Sequence, residues 1–250
     1  MDAMTNGIRI NNKNTGELVV ADDGIGYHWY ATPAVYQTIP SGANETGYYV
    51  FRVTMPATNM PPIAFVRVTS GAVVEVSDVY LDATDSTGKT WLISVYSVSY
   101  GTAYTTPTMV TPTIDVFAPA LTPAEPWGCV LWRKPDGKIA ADFTRRALFP
   151  REMPALPARG GDYAYVLGDS VTLDVSVTTP AVMGGTNAYH FEADTLVGRF
   201  YNYGWRLNGS NLERRLYLRN TDSSMGQDDG QVSELAIYST RAVVIEAAGL

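Results

Sequence analysis

The chain has 250 residues, a formal net charge of −7 at pH 7 and a pI near 4.8. Residues 1–118 carry five bases against ten carboxylates and the rest thirteen against fifteen, so neither half has the basic footprint of a nucleic-acid binder. A single cysteine, Cys129, excludes an intrachain disulfide framework and a multi-cysteine zinc site.

The chain opens on "GIRINNKNTGELVVAD" (7–22), two short apolar runs around an Asn- and Gly-rich loop, which predicts a hairpin. Next come "YYVFRVTM" (48–55), "IAFVRVTS" (63–70), "AVVEVSDVYLD" (72–82) and "TWLISVYSVSY" (90–100), rich in Val, Ile, Tyr, Phe and Thr and separated by Gly, Pro, Asn and Ser clusters. That composition and spacing predict strands of a β-sandwich. In the last of them Trp91, Ile93, Val95 and Ser97 fall on one face and Leu92, Ser94, Tyr96 and Val98 on the other. "DSTGK" (85–89) reads as the turn that feeds it.

"APALTPAEP" (118–126) holds three prolines, which remove ladder donors, and predicts an extended linker. Beyond it "GCVLWRKPDGKIAAD" (128–142) echoes the opening. Gly7 and Gly16 are nine apart, as are Gly128 and Gly137, and each second Gly precedes a charged residue, Leu18 or Ile139, small apolar residues and an Asp. The register slips by one before the Asp. Cys129 lies in an apolar run and reads as a small buried hydrophobe.

An irregular stretch, "FTRRALFPREMPALPARGGDY" (143–163), precedes further strands: 163–168, 171–177, 196–209, 212–220, 232–239 and 241–247. "VTLDVSVT" alternates, with Val171, Leu173, Val175 and Val177 on one face. The expectation is an all-β chain of two β-sandwich-like domains with little or no helix: residues 1–118, a Pro-rich linker over 119–126, and residues 127–250.

No catalytic motif is present. His28 ("GYHWY") and His190 ("AYHFE") are flanked by aromatics, and neither has a nucleophile or a second ligand at metal-binding spacing, even with Glu192 nearby. The acidic stretches 82–88 and 226–230 read as solvated turns, with calcium as the alternative. The expectation is a non-enzyme with no catalytic residues, no cofactor and no metal.

Charged residues make up only 17%, against about 25% in typical proteins, which suits a surface covered by neighbours. Aromatics concentrate in 26–37 and 199–209. Fourteen of the 18 bases are arginine, the base favoured at interfaces, and four lie in 143–163. Candidate interface residues are Arg145, Arg146, Arg151, Trp29, Tyr201 and Trp205. Three of these, Trp29, Tyr201 and Trp205, are also candidates for an exposed sugar-stacking platform. The N-terminus shows no signal peptide and no run approaches the ~18 apolar residues of a spanning helix, so no membrane insertion is expected.

"GIRINNKNTGELVVADD", starting within a few residues of Met1, resembles the N-terminus of small tail proteins of tailed bacteriophages, and "WGCVLWRKPDGKIAADFTRR" in the centre resembles the same pattern. The resemblance covers about a fifth of the chain. It implies a structural virion protein of the tail tip, baseplate or a fibre, synthesised in the host cytoplasm. Its partners would be other tail proteins in a homo-oligomer or symmetric assembly, with host surface glycan or protein as a further contact. It carries over no functional residues, because the matched positions are structural turns. The alternatives are a carbohydrate-binding module or lectin-like adhesin, and a β-rich hydrolase of surface polysaccharide.

Overall fold

A computed structural model describes residues 9–11, 18–21, 26–56, 60–84, 88–100, 107–119, 128–132, 139–154, 156, 159–160, 170–183, 188–193, 198–222, 232–237 and 242–248. For 9–11, 18–21, 159–160, 188–193, 222 and 232–237 it describes the backbone only. The described residues are all-β, without helix. In chain order the strands are β1 (Arg9–Asn11), β2 (Leu18–Ala21), β3 (Tyr27–Ala31), β4 (Val35–Ile39), β5 (Tyr48–Met55), β6 (Ile63–Arg67), β7 (Ala72–Thr84), β8 (Lys89–Ser99) and β9 (Ile114–Pro119). They continue with β10 (Val130–Trp132), β11 (Ile139–Asp142), β12 (Arg151–Glu152), β13 (Arg159–Gly160), β14 (Ser170–Thr172), β15 (Pro180–Met183), β16 (Ala188–Ala193), β17 (Gly198–Asn208), β18 (Asn211–Asp222), β19 (Val232–Ile237) and β20 (Val243–Glu246).

The opening hairpin and its echo share one register. Arg9, Ile10 and Asn11 pair with Ala21, Val20 and Leu18. Val130, Leu131 and Trp132 pair with Asp142, Ala141 and Ile139. Each pair in the second hairpin lies 121 residues beyond its counterpart, and both hairpins carry a bulge between their second and third pairs. Asp142 therefore takes the place of Ala21 rather than Asp22, which accounts for the slip in the sequence echo.

A six-stranded antiparallel sheet runs β12-β20-β15-β6-β9-β3. Its two ends meet. Residues 146–148, just before β12, bond to β3: the Trp29 N–H donates to the Arg146 carbonyl and the Leu148 N–H to the Tyr27 carbonyl, each at 2.7 Å. The sheet thus closes into a ring. Its inside holds Phe65, Phe117, Ala181, Ile245 and Ala247, with Tyr27, Trp29, Ile63, Leu148 and Val243 packed around them. Phe65 and Phe117 meet edge to face at 5.7 Å between centroids, a favoured aromatic geometry.

The outer face of the ring supplies Ala64, Val66, Ile114, Val116, Val182 and Val244 to the main core, which lies between ring and second sheet. That sheet runs β13-β19-β16-β17-β7-β8-β5-β4, with β18 on the other edge of β17 and β14 beyond β18. Phe51, Val53, Ile93, Val95, Val74, Trp205 and Leu212 face the ring. Trp91, Ile93, Val95 and Ser97 are all buried on one face, as the alternation predicts.

The second sheet curls as well. The Thr46 N–H donates to Arg219 O at 2.8 Å and the Thr221 N–H to Asn44 O at 2.7 Å, so the loop entering β5 bonds to β18. The curl brings together Tyr48, Tyr96 and Tyr217, with successive centroids 5.4 and 5.8 Å apart, over Val73 and Val98.

Both sheets draw strands from both sides of residues 120–127, which lie outside the described residues. β6 pairs with β15 and β7 with β17, and the main core holds residues of both halves. Pro119, expected to begin the linker, is the last residue of β9.

One expected strand is corrected. The alternation of 171–177 stops at Thr172, because the Asp174 carboxylate accepts the Ser176 N–H and hydroxyl and folds the chain into a turn. Val175 is consequently 98% exposed instead of facing the core. The strand expected over 163–168 lies outside the described residues.

Candidate functional site

Of the six candidate interface residues, two are overturned. Tyr201 and Trp205 are each 1% exposed. In "YNYGWRL" the aromatics alternate with Asn202, Gly204 and Arg206, so the strand turns its rings inward. That alternation was the sequence signal for burial, and aromatic density alone missed it. Trp29 is half-buried and packs against the ring interior.

Of the three arginines, Arg145 pairs within the segment 142–152, and Arg146 and Arg151 fasten that segment to the rest of the chain. Arg145 Nε lies 3.3 Å from Asp142 Oδ2. Arg146 donates to the carbonyls of Glu246 and Ala248 at 2.6 and 2.7 Å. Arg151 donates to Ser176 Oγ at 2.7 Å and lies 3.4 Å from Asp174. Arg146 and Arg151 remain exposed while making these contacts.

His28 is buried where β3 meets β11. Its Nε2 accepts the backbone N–H of Asp142 at 2.9 Å, which places the proton of the neutral ring on Nδ1. Beside it the Gly26 N–H donates to Ala140 O at 2.8 Å, and a Cβ at Gly26 would stand 2.4 Å from that oxygen. The Asp142 carboxylate, itself buried, accepts the Thr144 N–H and hydroxyl. Burial holds His28 below the ordinary imidazole value, against the pull of Asp142. The cluster is a clasp between hairpin and ring. The side chain of His190, on β16, lies outside the described residues.

The second buried ionisable cluster lies inside the curl of the larger sheet. The Tyr217 hydroxyl donates to Glu75 Oε2. Burial raises the Glu75 carboxyl and drives Tyr217 well above its ordinary value. Among the described residues no three His, Cys, Asp or Glu side chains gather as a metal site would require. Residues 85–87 of the first acidic stretch and all of the second, 226–230, lie outside the described residues.

The exposed surface is unevenly apolar. Trp132, the last residue of β10, and Phe143, just after β11, are both about half exposed, and Cys129, just before β10, is exposed too. The Phe143 N–H donates to Cys129 O at 3.0 Å, which aligns the two across the hairpin. The expected burial of Cys129 is thereby corrected: the hairpin stands off the core at this end. Phe149 is exposed nearby in sequence. Elsewhere Tyr36, Tyr80 and Tyr100 are exposed, with Arg52 over Tyr36 at 5.3 Å and Arg206 over Tyr100 at 3.8 Å. A shallow groove of about 260 Å³ lies between Pro62–Ala64, Val76–Val79 and Met183.

Comparison with family models, with curated proteins and with solved structures gives no significant match.

Proposed function

We propose that the chain is a structural virion protein of a tailed bacteriophage, part of the tail tip, baseplate or a fibre, acting through protein–protein contacts without catalysis. The observation that carries this reading is the hairpin built twice in one register, in the two stretches that resemble tail-protein N-termini. Low charge and the apolar surface of Trp132 and Phe143 support contact with neighbouring subunits. Mass spectrometry of purified particles tests it: the chain is expected in intact virions, and its absence from them would overturn the proposal.

A second reading, a carbohydrate-binding module or lectin-like adhesin, draws on the exposed rings of Tyr36, Tyr80 and Tyr100. It loses Tyr201 and Trp205 as platform residues. A glycan array separates it from the first: binding lost in Tyr36→Ala, Tyr80→Ala or Tyr100→Ala variants would favour it, and no binding would reject it.

A further inference from the structure

The order of the ring reads the same from both ends, and so does the part of the larger sheet around the β7–β17 contact. In the ring, β3-β9-β6 on one side of the β6–β15 seam answers β12-β20-β15 on the other. In the larger sheet, β5-β8-β7 on one side of the β7–β17 contact answers β14-β18-β17. We propose that the chain is a dimer fused into one polypeptide. Residues 7–119 and 128–247 are two copies of one β unit, and the β6–β15 and β7–β17 seams are a self-complementary interface between them.

Register carries the inference further than order. Ile63, Ala64 and Phe65 pair with Phe117, Val116 and Asp115; Ala181, Val182 and Met183 pair with Ile245, Val244 and Val243. One constant spacing per strand, 118 for β6 to β15 and 128 for β9 to β20, converts the first set into the second. Likewise Tyr49 opposite Val95 answers Val171 opposite Leu212, and Val74 opposite Ser97 answers Trp205 opposite Arg214.

A two-fold axis makes a stronger demand: residues that lie on it must face their own counterparts. Phe65 and Met183, counterparts at spacing 118, face each other across the β6–β15 seam. Tyr27 and Leu148, at the hairpin spacing of 121, bond to each other where the ring closes. Val74 faces Trp205 across β7–β17. Counterparts also share environments. Val95 and Leu212, Tyr49 and Val171, and Val116 and Val244 all lie in the main core, while Phe117 and Ile245 both line the ring. "TPAV" (32–35) and "MPAL" (153–156) recur at the same spacing of 121. Strands β16 and β19 have no counterpart. They pair with each other between β17 and β13, as two insertions in the second copy would.

The two-fold relation predicts a distance. The gap from Pro119 to Val130, bridged by ten residues, must equal the gap from Ala247 to Arg9. Joining Leu250 to Met1 puts eleven residues across that second gap. A circular permutant that joins these ends and opens between residues 123 and 124 reverses the order of the two units. It is expected to keep the parent's far-UV spectrum, its mass and a single cooperative melt. Loss of the cooperative melt would overturn the proposal. A second variant avoids the risk in refolding: the folded parent chain, cyclised head to tail by a ligase. It is expected to melt at or above the temperature of the linear chain. A lower melting temperature would mean that the ends are held too far apart, and would also overturn it.

Discussion

His28 Nε2 accepts the Asp142 backbone N–H at 2.9 Å, so one imidazole joins β3 of the first half to β11 of the second. The bond requires an unprotonated Nε2. Burial lowers the folded-state pKa of His28 from its ordinary 6.5, so below that value the unfolded chain takes up the proton first. Unfolding then binds protons, and stability falls as pH drops through 6.5 toward the lowered value. His28→Phe removes this part of the slope. It also leaves the Asp142 N–H unpaired at a cost of about 1–3 kcal/mol at neutral pH. Urea midpoints of both proteins between about pH 5 and pH 7.5 check the prediction.

Glu75 titrates with the opposite sign. Its folded-state carboxyl is raised by burial above 4.5, so the folded chain holds the proton longer and stability declines as pH rises from that value. Glu75→Gln keeps an acceptor for the Tyr217 hydroxyl and removes the buried charge. The variant is expected to be more stable than the parent near pH 8 and little changed near pH 4. An equal shift at both pH values would refute the ionisation argument.

Asp115 is fully buried on β9, where it takes both Arg67 Nε at 2.8 Å and Nη2 at 3.0 Å, and the Thr32 hydroxyl at 2.7 Å. Asp115→Ala is expected to cost about 3 kcal/mol, the low end for a broken buried pair because Arg67 keeps some contact with water. Asp115→Asn, which retains one acceptor, is expected to cost less. Chemical denaturation of the two variants measures the difference.

Two glycines of the β17–β18 hairpin separate crowding from backbone strain. A Cβ at Gly204 would stand 2.7 Å from the Val74 carbonyl oxygen and 2.8 Å from Val73 Cγ1, at the β7–β17 seam. Gly209 has open space around it but a φ of +59° in the turn. Gly209→Ala is expected to cost about 1 kcal/mol from left-handed backbone alone. Gly204→Val forces strands apart and is expected to cost about 1–3 kcal/mol. Gly209→Asn should recover part of the loss and Gly204→Asn none, as thermal melts would show.

Trp132→Ser with Phe143→Ser changes two exposed side chains and is expected to leave stability within about 0.5 kcal/mol. If the chain is a tail protein that docks through this hairpin, the double variant will be depleted from purified particles while accumulating normally in the cell. Equal incorporation would move the docking surface elsewhere.

Strand residues are readable where β-branched and aromatic residues run between turn residues. The run 48–55 predicts β5, which spans Tyr48–Met55, and period alone separates the two faces of β8, both of which bury side chains. The 171–177 run misled because its valines repeat every second residue, while the Asp174 side chain competes locally for the Ser176 N–H. The clasp around His28 was not readable at all. It joins residues 114 apart, and local pattern carries no information about which strand a distant hairpin will meet. The ring closure at Tyr27 and Leu148 is invisible for the same reason, although their spacing of 121 was already present in the glycine echo.

The seam strands have a consequence for synthesis. β6 and β7 are complete by residue 84, but β15 and β17 end at residues 183 and 208. At about 5–20 residues per second, roughly 5–25 s separate the emergence of these edges from that of their covers. During that interval a nascent chain exposes edges that fit a like half on a neighbouring ribosome. Slow codons in the second half would lengthen the interval and favour such cross-paired polysome products, whereas fast ones would favour pairing within the chain.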